Sequence, residues 1–232
     1  MKHRINIRGV MIPNNYKWYY DFFGEDSTCP ADVQKIIDAF QDGDEIEVYI
    51  NSPGGVIDVG SEIYTLLRGS REHVKIYITG EACSAASIVA MAGYCEMAPT
   101  ALMMVHCVSS RVSGNHSDME HMAGVLHTAA QALCTAYTAK TGMSQQEALS
   151  MMEAETWLTA EQAKERGLVD AVMFAESDTT APLIAGDVFR LPSAEQMGKV
   201  RNMLKQAESE STDSAFLVQT RLNLLKMRGE QR

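Results

Sequence analysis

The sequence lacks the marks of several classes of protein. Its 20 Lys and Arg against 30 Asp and Glu give a formal net charge of −10, which argues against nucleic acid as a main partner because phosphate contacts need clustered positive charge. It also lacks the run of about 18 apolar residues that a membrane span requires. The opening segment MKHRINIRGV has no apolar core of the kind found in signal peptides. We therefore expect a cytoplasmic protein that does not act on a membrane.

Cysteine is sparse and does not occur in closely spaced pairs. The five cysteines are odd in number and form no CxxC motif; they are Cys29, Cys83, Cys95, Cys107 and Cys134. These spacings fit neither a disulfide framework nor a zinc site. We expect reduced thiols, and a protein that needs no metal or cofactor.

What the sequence does contain is a series of short apolar segments, each followed by a helical pattern. Strands are predicted at 45–50, 74–78 and 101–106, and helices at 56–69 and about 118–140. Strands that alternate with helices are typical of βαβ units. The predicted fold class is therefore α/β, with a largely parallel sheet covered by helices.

The character of the sequence changes after Phe174. The next twenty residues mix polar side chains and prolines with few apolar anchors, and the final forty have helical potential but too little apolar material for a separate core. We predict one domain over residues 1–175, followed over residues 176–232 by a linker and an extension that is helical or partly disordered.

The segment NSPGG follows the first of these predicted strands and precedes a predicted helix. Pro53 fixes φ, and Gly54 and Gly55 permit backbone conformations that other residues avoid. Backbone N–H groups near the two glycines are expected to lack partners, as at any helix start, and such groups suit a carboxylate, a phosphate or an oxyanion. The alternative is a tight turn with no further role.

The segment GEACSAASIVAMAG lies at the corresponding place one βα unit later. Ser84 falls at the junction of strand and helix, where a serine either caps the helix or serves as a nucleophile at the carboxyl end of the sheet. Ser87 lies one turn inside the helix, where its hydroxyl is expected to bond a preceding carbonyl and to serve packing.

A nucleophilic serine needs a base, and His106 is the candidate among six histidines. It ends the predicted strand LMMVH, again at a carboxyl end, and such a pairing with Ser84 is the arrangement of nucleophilic catalysis. The histidines of the long helix and the loop before it have solvated or packing roles as their default: His116, His121 and His127.

Four motifs resemble the Clp protease proteolytic subunit family in order and approximate spacing. They are INSPGGVIDVGSEIY, GEACSAAS, LMMVH and ETWLTAEQAKERGLVDAV, spread over residues 5–174. The sequence looks most like the Clp-protease-like enzymes of bacteriophages and prophages, which process capsid proteins during head maturation. The resemblance implies a crotonase-like fold of repeated ββα units with a long helix, and assembly into a homo-oligomeric ring.

The resemblance also implies roles for individual residues. The last residue of the motif GEACS is the family's nucleophile, which selects Ser84 over Ser87. His106 matches the general base, and the backbone amides of Gly55 and Ala85 match the oxyanion hole.

Two positions depart from the family pattern. The family's third catalytic residue is an aspartate, and Glu155 occupies its place; glutamate is one methylene longer but is still able to accept from the histidine. The competing candidate is Asp118, and the remaining alternative is a backbone carbonyl that orients His106. Cys83 replaces a small residue next to the nucleophile, which suggests sensitivity to thiol reagents.

The function that the resemblance implies is that of a serine endopeptidase acting on protein or peptide substrates, with capsid or scaffold proteins as the expected ones. Whether it works without ATP or with an unfoldase ATPase as partner stays open.

Two other functions are considered. An acyl-CoA hydratase or isomerase of the crotonase type is disfavoured, because such enzymes usually rely on carboxylates. An inactive ring that serves as an assembly scaffold is disfavoured by the intact serine and histidine.

Overall fold

A computed structural model of the chain describes residues 1–41, 43–70 and 73–175. The predicted C-terminal extension over residues 176–232 lies outside the described residues, so the proposed division at residue 175 stays a prediction. Within the described part, no helix is both long and apolar enough to cross a membrane.

The strands are β1 (Lys2–Met11), β2 (Ser27–Thr28), β3 (Glu45–Gly55), β4 (Val74–Cys83), β5 (Tyr94–Met97), β6 (Leu102–Val105), β7 (Thr156–Leu158) and β8 (Ala171–Val172). The α-helices are α1 (Lys17–Phe23), α2 (Pro30–Ile37), α3 (Ile57–Gly69), α4 (Ala85–Ala90), α5 (His116–Thr141), α6 (Gln145–Glu153) and α7 (Ala160–Glu165). A short 3₁₀ helix, Asn14–Tyr16, precedes α1.

The eight strands of the described residues belong to one sheet. Its main path is β2-β1-β3-β4-β5-β8, and neighbours along that path are parallel. The second half of β4 leaves β5 and pairs in parallel with β6, whereas β7 pairs antiparallel with β6. This mostly parallel sheet with its helices confirms the predicted α/β class and is consistent with the crotonase-like arrangement.

The core forms because the strands alternate between a buried and a more exposed face. Ile46, Val48 and Ile50 of β3 are fully buried, as are Ile76 and Ile78 of β4. Helix α3 packs against α2 and α4 on the covered side of the sheet. The parallel strands β3, β4 and β6 direct their carboxyl ends to one edge, which is where α/β sheets place their sites.

The long predicted helix is confirmed as α5. It begins after Asn115, whose side chain accepts from two N–H groups of the first turn, and it ends at Gly142 in the left-handed conformation with φ of 76°. Its buried residues begin only at Ala130, so the first half of α5 packs little against the other described residues.

Candidate active site

The position of Ser84 follows from the pairing of two strands. The last three residues of β4 pair with β6, Cys83 opposite Met104, and the N–H of Ser84 donates to the carbonyl of Met104 at 2.9 Å. Helix α4 begins with the next residue, Ala85. The strand-to-helix junction predicted for Ser84 is therefore confirmed.

The backbone of Ser84 is strained. Its φ of 55° lies in the left-handed region. This conformation destabilises a non-glycine residue by about 1–3 kcal/mol, and it occurs chiefly at functional sites. Ser84 precedes α4, yet its side chain makes no capping hydrogen bond. The capping alternative for this serine is therefore wrong.

The imidazole of His106 meets the hydroxyl of Ser84. His106 is the first residue after β6, and its Nε2 lies 2.8 Å from Ser84 Oγ. Both side chains are half-buried. A base at this distance is able to take the hydroxyl proton directly.

Gly54 of the SPGG segment packs against the backbone on either side of the nucleophile. Gly54 has a φ of 92°, and a Cβ on it would fall 2.7 Å from Ser84 Cβ and 2.9 Å from the Ala85 nitrogen. Its N–H, however, donates to Ser52 Oγ at 3.1 Å. The expectation of unpaired amides at both glycines is thus wrong for Gly54, because the buried Ser52 supplies an acceptor.

The two amides expected to bind an oxyanion differ in their surroundings. Ala85 is buried and is the first residue of α4, and the first N–H groups of a helix have no intrahelical acceptor. Gly55 is exposed. A Cβ on it would fall 2.2 Å from the carbonyl oxygen of Met11 in β1, so only glycine fits this close approach.

The two candidates for a third catalytic residue occupy different places. In the ladder between β6 and β7 the last pair is Val105 with Thr156, and one further step along the same register brings His106 opposite Glu155. The exposed Glu155 carboxylate accepts from the indole of Trp157 at 3.5 Å; among the described residues no hydrogen bond joins it to His106. The carboxylate of Asp118 instead accepts from the N–H of Asn115 at 2.8 Å, as part of a helix cap.

The structure shows two residues near the site that the sequence analysis did not identify as candidates. Ser52 donates to the carbonyl of Gly9 at 2.6 Å and thereby shapes the SPGG segment. Tyr137, in the buried half of α5, hydrogen-bonds Ser87 at 2.7 Å. The one sequence signal for Tyr137 was a hydroxyl on the buried face of α5, which it shares with Ala130 and Cys134.

The described residues hold no group of three or more His, Cys, Asp or Glu side chains that could bind a metal ion. The five cysteines are unpaired.

Cys83 is held in its thiol form by its surroundings. It is buried directly before Ser84, and burial, followed by the negative charge of Glu81 and a hydrogen bond to that carboxylate, raises its pKa to about 12. Because the thiolate is the reactive form, this environment opposes the sensitivity to thiol reagents suggested by the sequence.

We expect Cys83 to resist alkylation in the folded protein. At pH 8 only about one thiol in 10⁴ is ionised when the pKa is about 12. Peptide mapping after treatment with iodoacetamide should find Cys83 unmodified in the native protein and modified in urea, where all five cysteines react. Rapid native alkylation at Cys83 would show that its thiol is accessible and ionised.

Comparison with known families adds one finding. The family model described as Clp protease matches residues 33–176, which is more than half of the chain. The matched range holds the SPGG segment, Ser84, His106 and Glu155.

Proposed function

This chain belongs to the Clp protease family, and from that premise we propose that it is a serine endopeptidase with Ser84 as nucleophile and His106 as general base. The observation that supports this proposal best is the 2.8 Å contact between Ser84 Oγ and His106 Nε2. The family match supports a peptidase, and the contact supplies a reason to assign the reaction to a serine.

The proposed reaction is acyl transfer in two stages. His106 Nε2 takes the proton of Ser84 Oγ as the oxygen attacks the peptide carbonyl carbon. The C–N bond then breaks, and the amine leaves with the proton held by His106. In the second stage His106 takes a proton from water, the hydroxide attacks the acyl group, and the proton returns to Ser84 as the carboxylic acid product departs.

The carbonyl oxygen of the substrate becomes negatively charged in both stages. We propose that the N–H groups of Gly55 and Ala85 stabilise this charge. Ala85 supports the role because its amide starts a helix directly after the nucleophile. Loss of one such donor typically lowers kcat by about 10²–10³.

For the third member of the site we propose Glu155, which would accept from Nδ1–H of His106. The strand register that brings these residues opposite each other supports the assignment. Asp118 is less suited, because its carboxylate already serves the cap of α5.

We expect Glu155→Gln to lower kcat by about 10²-fold, because the amide cannot stabilise the imidazolium as a carboxylate does. Asp118→Ala should leave kcat within about twofold and lower the melting temperature instead, because it removes half of a capping box. Steady-state kinetics of both variants with one peptide substrate compare the candidates. The reverse pattern would assign the role to Asp118, and no effect of either would favour a backbone carbonyl.

Protein substrates are typical of this family, and we propose capsid or scaffold proteins of a phage as the natural ones, cleaved in the cytoplasm of the host, with or without an unfoldase ATPase. The test is incubation of the purified full chain with casein and with candidate capsid and scaffold proteins, followed by mass spectrometry of fragments. We expect cleavage of protein and no turnover of acyl-CoA. Turnover of acyl-CoA without cleavage would support the hydratase alternative, and neither activity would support the inactive scaffold.

Members of this family generally form rings, and we propose that this chain forms a homo-oligomeric ring. The exposed first half of α5 supports the proposal: Met119 and Val125 there are 41% and 45% exposed. Apolar side chains on a helix that contacts little of the other described residues are typical of subunit packing.

A further inference from the structure

A buried pair of hydroxyls lies behind the nucleophile. Ser87 is fully buried in α4. Its Oγ is 2.6 Å from the carbonyl oxygen of Ser84 and 2.7 Å from the hydroxyl of Tyr137, which enters from α5. Neither Ser87 nor Tyr137 touches the reacting atoms in the mechanism given above.

Counting protons fixes the direction of both hydrogen bonds. A carbonyl oxygen only accepts, so the single hydroxyl proton of Ser87 goes to the carbonyl of Ser84. The bond between the two hydroxyls must then use the proton of Tyr137, with Ser87 as acceptor. Burial raises the pKa of Tyr137, so its hydroxyl keeps this proton at any working pH.

The carbonyl that receives this chain of hydrogen bonds belongs to a catalytically important peptide unit. The carbonyl of Ser84 and the N–H of Ala85 lie in one rigid plane and point in opposite directions. That carbonyl accepts from the Ser87 hydroxyl at 2.6 Å, from the Ser87 N–H at 2.9 Å and from the Ile88 N–H at 3.4 Å. Whatever fixes and polarises the carbonyl therefore fixes the direction of the Ala85 N–H and strengthens it as a donor.

We propose that Tyr137 and Ser87 are positioning residues, which act through the Ser84–Ala85 peptide unit to aim and polarise the oxyanion-binding N–H of Ala85. The inference rests on the proposed serine mechanism and adds two residues to it. It assigns a role in catalysis to Ser87, beyond the packing role expected from the sequence, and to Tyr137, a residue 50 positions further along the chain.

The peptide unit needs such support because the backbone that leads into it is strained. Ser84 has the unfavourable φ of 55°, and α4 is only six residues long. Gly54 packs close to the Ala85 nitrogen but has no side chain, since a Cβ there would fall 2.9 Å from that nitrogen. The hydrogen bond that Tyr137 of α5 makes to Ser87 opposes rotation of the peptide plane toward a more relaxed conformation.

The test uses three variants of the full chain. Tyr137→Phe removes the outer donor and leaves the bond from Ser87 to Ser84 in place. Ser87→Ala removes the inner donor and also leaves the hydroxyl of Tyr137 buried without an acceptor. The double variant Ser87→Ala/Tyr137→Phe removes both hydroxyls and leaves no unpaired group. Thr138→Val is the matched control, because among the described residues the Thr138 hydroxyl bonds only a carbonyl within α5, that of Thr135.

The measurements are kcat and KM on a p-nitrophenyl ester, the pH midpoint of activity, and the melting temperature. We expect Tyr137→Phe to lower kcat by about threefold, and Ser87→Ala and the double variant to lower it by about tenfold, less than loss of the whole donor because the N–H remains. KM and the pH midpoint should stay unchanged, since His106 is untouched. The melting temperature should fall in Ser87→Ala and recover in the double variant, while kcat stays low.

A purely structural role predicts that kcat recovers together with stability in the double variant, and this result would overturn the proposal. A fall in kcat of the same size in Thr138→Val would also overturn it. Failure of the serine mechanism itself is recognised separately: wild-type protein would then hydrolyse no ester, or Ser84→Ala would hydrolyse it at the wild-type rate.

Discussion

Ser84→Ala is expected to lower kcat for peptide hydrolysis by at least about 10⁴-fold, because the alanine side chain offers no oxygen for attack while the oxyanion amides and the binding surface remain. The variant should fold, since alanine differs from serine by one atom at a half-buried position. Hydrolysis of a peptide by wild type and variant, with circular dichroism as the check on folding, measures the effect. Activity within about tenfold of wild type would assign the nucleophile elsewhere.

Ser84→Gly separates activity from stability at the same position. Glycine adopts a φ of 55° without strain, so we expect this variant to be as inactive as Ser84→Ala but about 1 kcal/mol more stable toward urea than that variant. The pair of variants tests whether the strain at the junction is real. Equal stability of the two would show that the backbone at residue 84 relaxes freely.

Gly54→Ala is expected to have the second largest effect, through collision with the nucleophile's backbone. The new Cβ would fall 2.6 Å from the carbonyl oxygen of Cys83 and 2.7 Å from Ser84 Cβ. Backbone must therefore move, and we expect a loss of about 3 kcal/mol or more in the free energy of unfolding. A displacement of Ser84 by about 1 Å should lower kcat by about 10²-fold.

Gly43→Ala is the matched control for Gly54→Ala. The φ angles of the two glycines are 89° and 92°, but a Cβ on Gly43 would meet nothing within 4 Å. We expect Gly43→Ala to lower the free energy of unfolding by about 1–2 kcal/mol, because alanine is strained at this φ. Its kcat should be unchanged. Urea unfolding and peptide hydrolysis of both variants separate strain from collision. Equal effects of the two substitutions on kcat would contradict the close packing of Gly54 on the nucleophile.

The central pair of the site was predictable from sequence because it depends on a general property of parallel sheets. Ser84 and His106 each follow a strand, and the carboxyl ends of parallel strands meet at one edge. The 2.8 Å contact between their side chains agrees with that expectation. The order of strands places the two residues at one edge, and the resemblance to the Clp protease family selected Ser84 over Ser87.

Features that depend on the contacts of individual side chains were not predictable. The amide of Gly54 was expected to be free, but the hydroxyl of Ser52, two residues earlier, accepts from it. The contact between Ser87 and Tyr137 joins residues 50 positions apart through packing of α4 on α5. Spacing along the chain carries no information about such contacts.

Short strands were also missed by the sequence analysis. β7 has only three residues, which is too few for an alternating pattern to appear. β7 exists because the ladder with β6 stabilises it. It is this strand that brings Glu155 opposite His106, so only the structure could supply a geometric reason for that assignment.

The most direct test of the account is to map the site of covalent labelling by a fluorophosphonate, which reacts with serines activated by a base. After digestion and tandem mass spectrometry, we expect one adduct, on Ser84, in the wild-type protein, and none in Ser84→Ala or His106→Ala. An adduct on Ser87, or labelling that persists without Ser84, would contradict the assignment of this serine as the nucleophile.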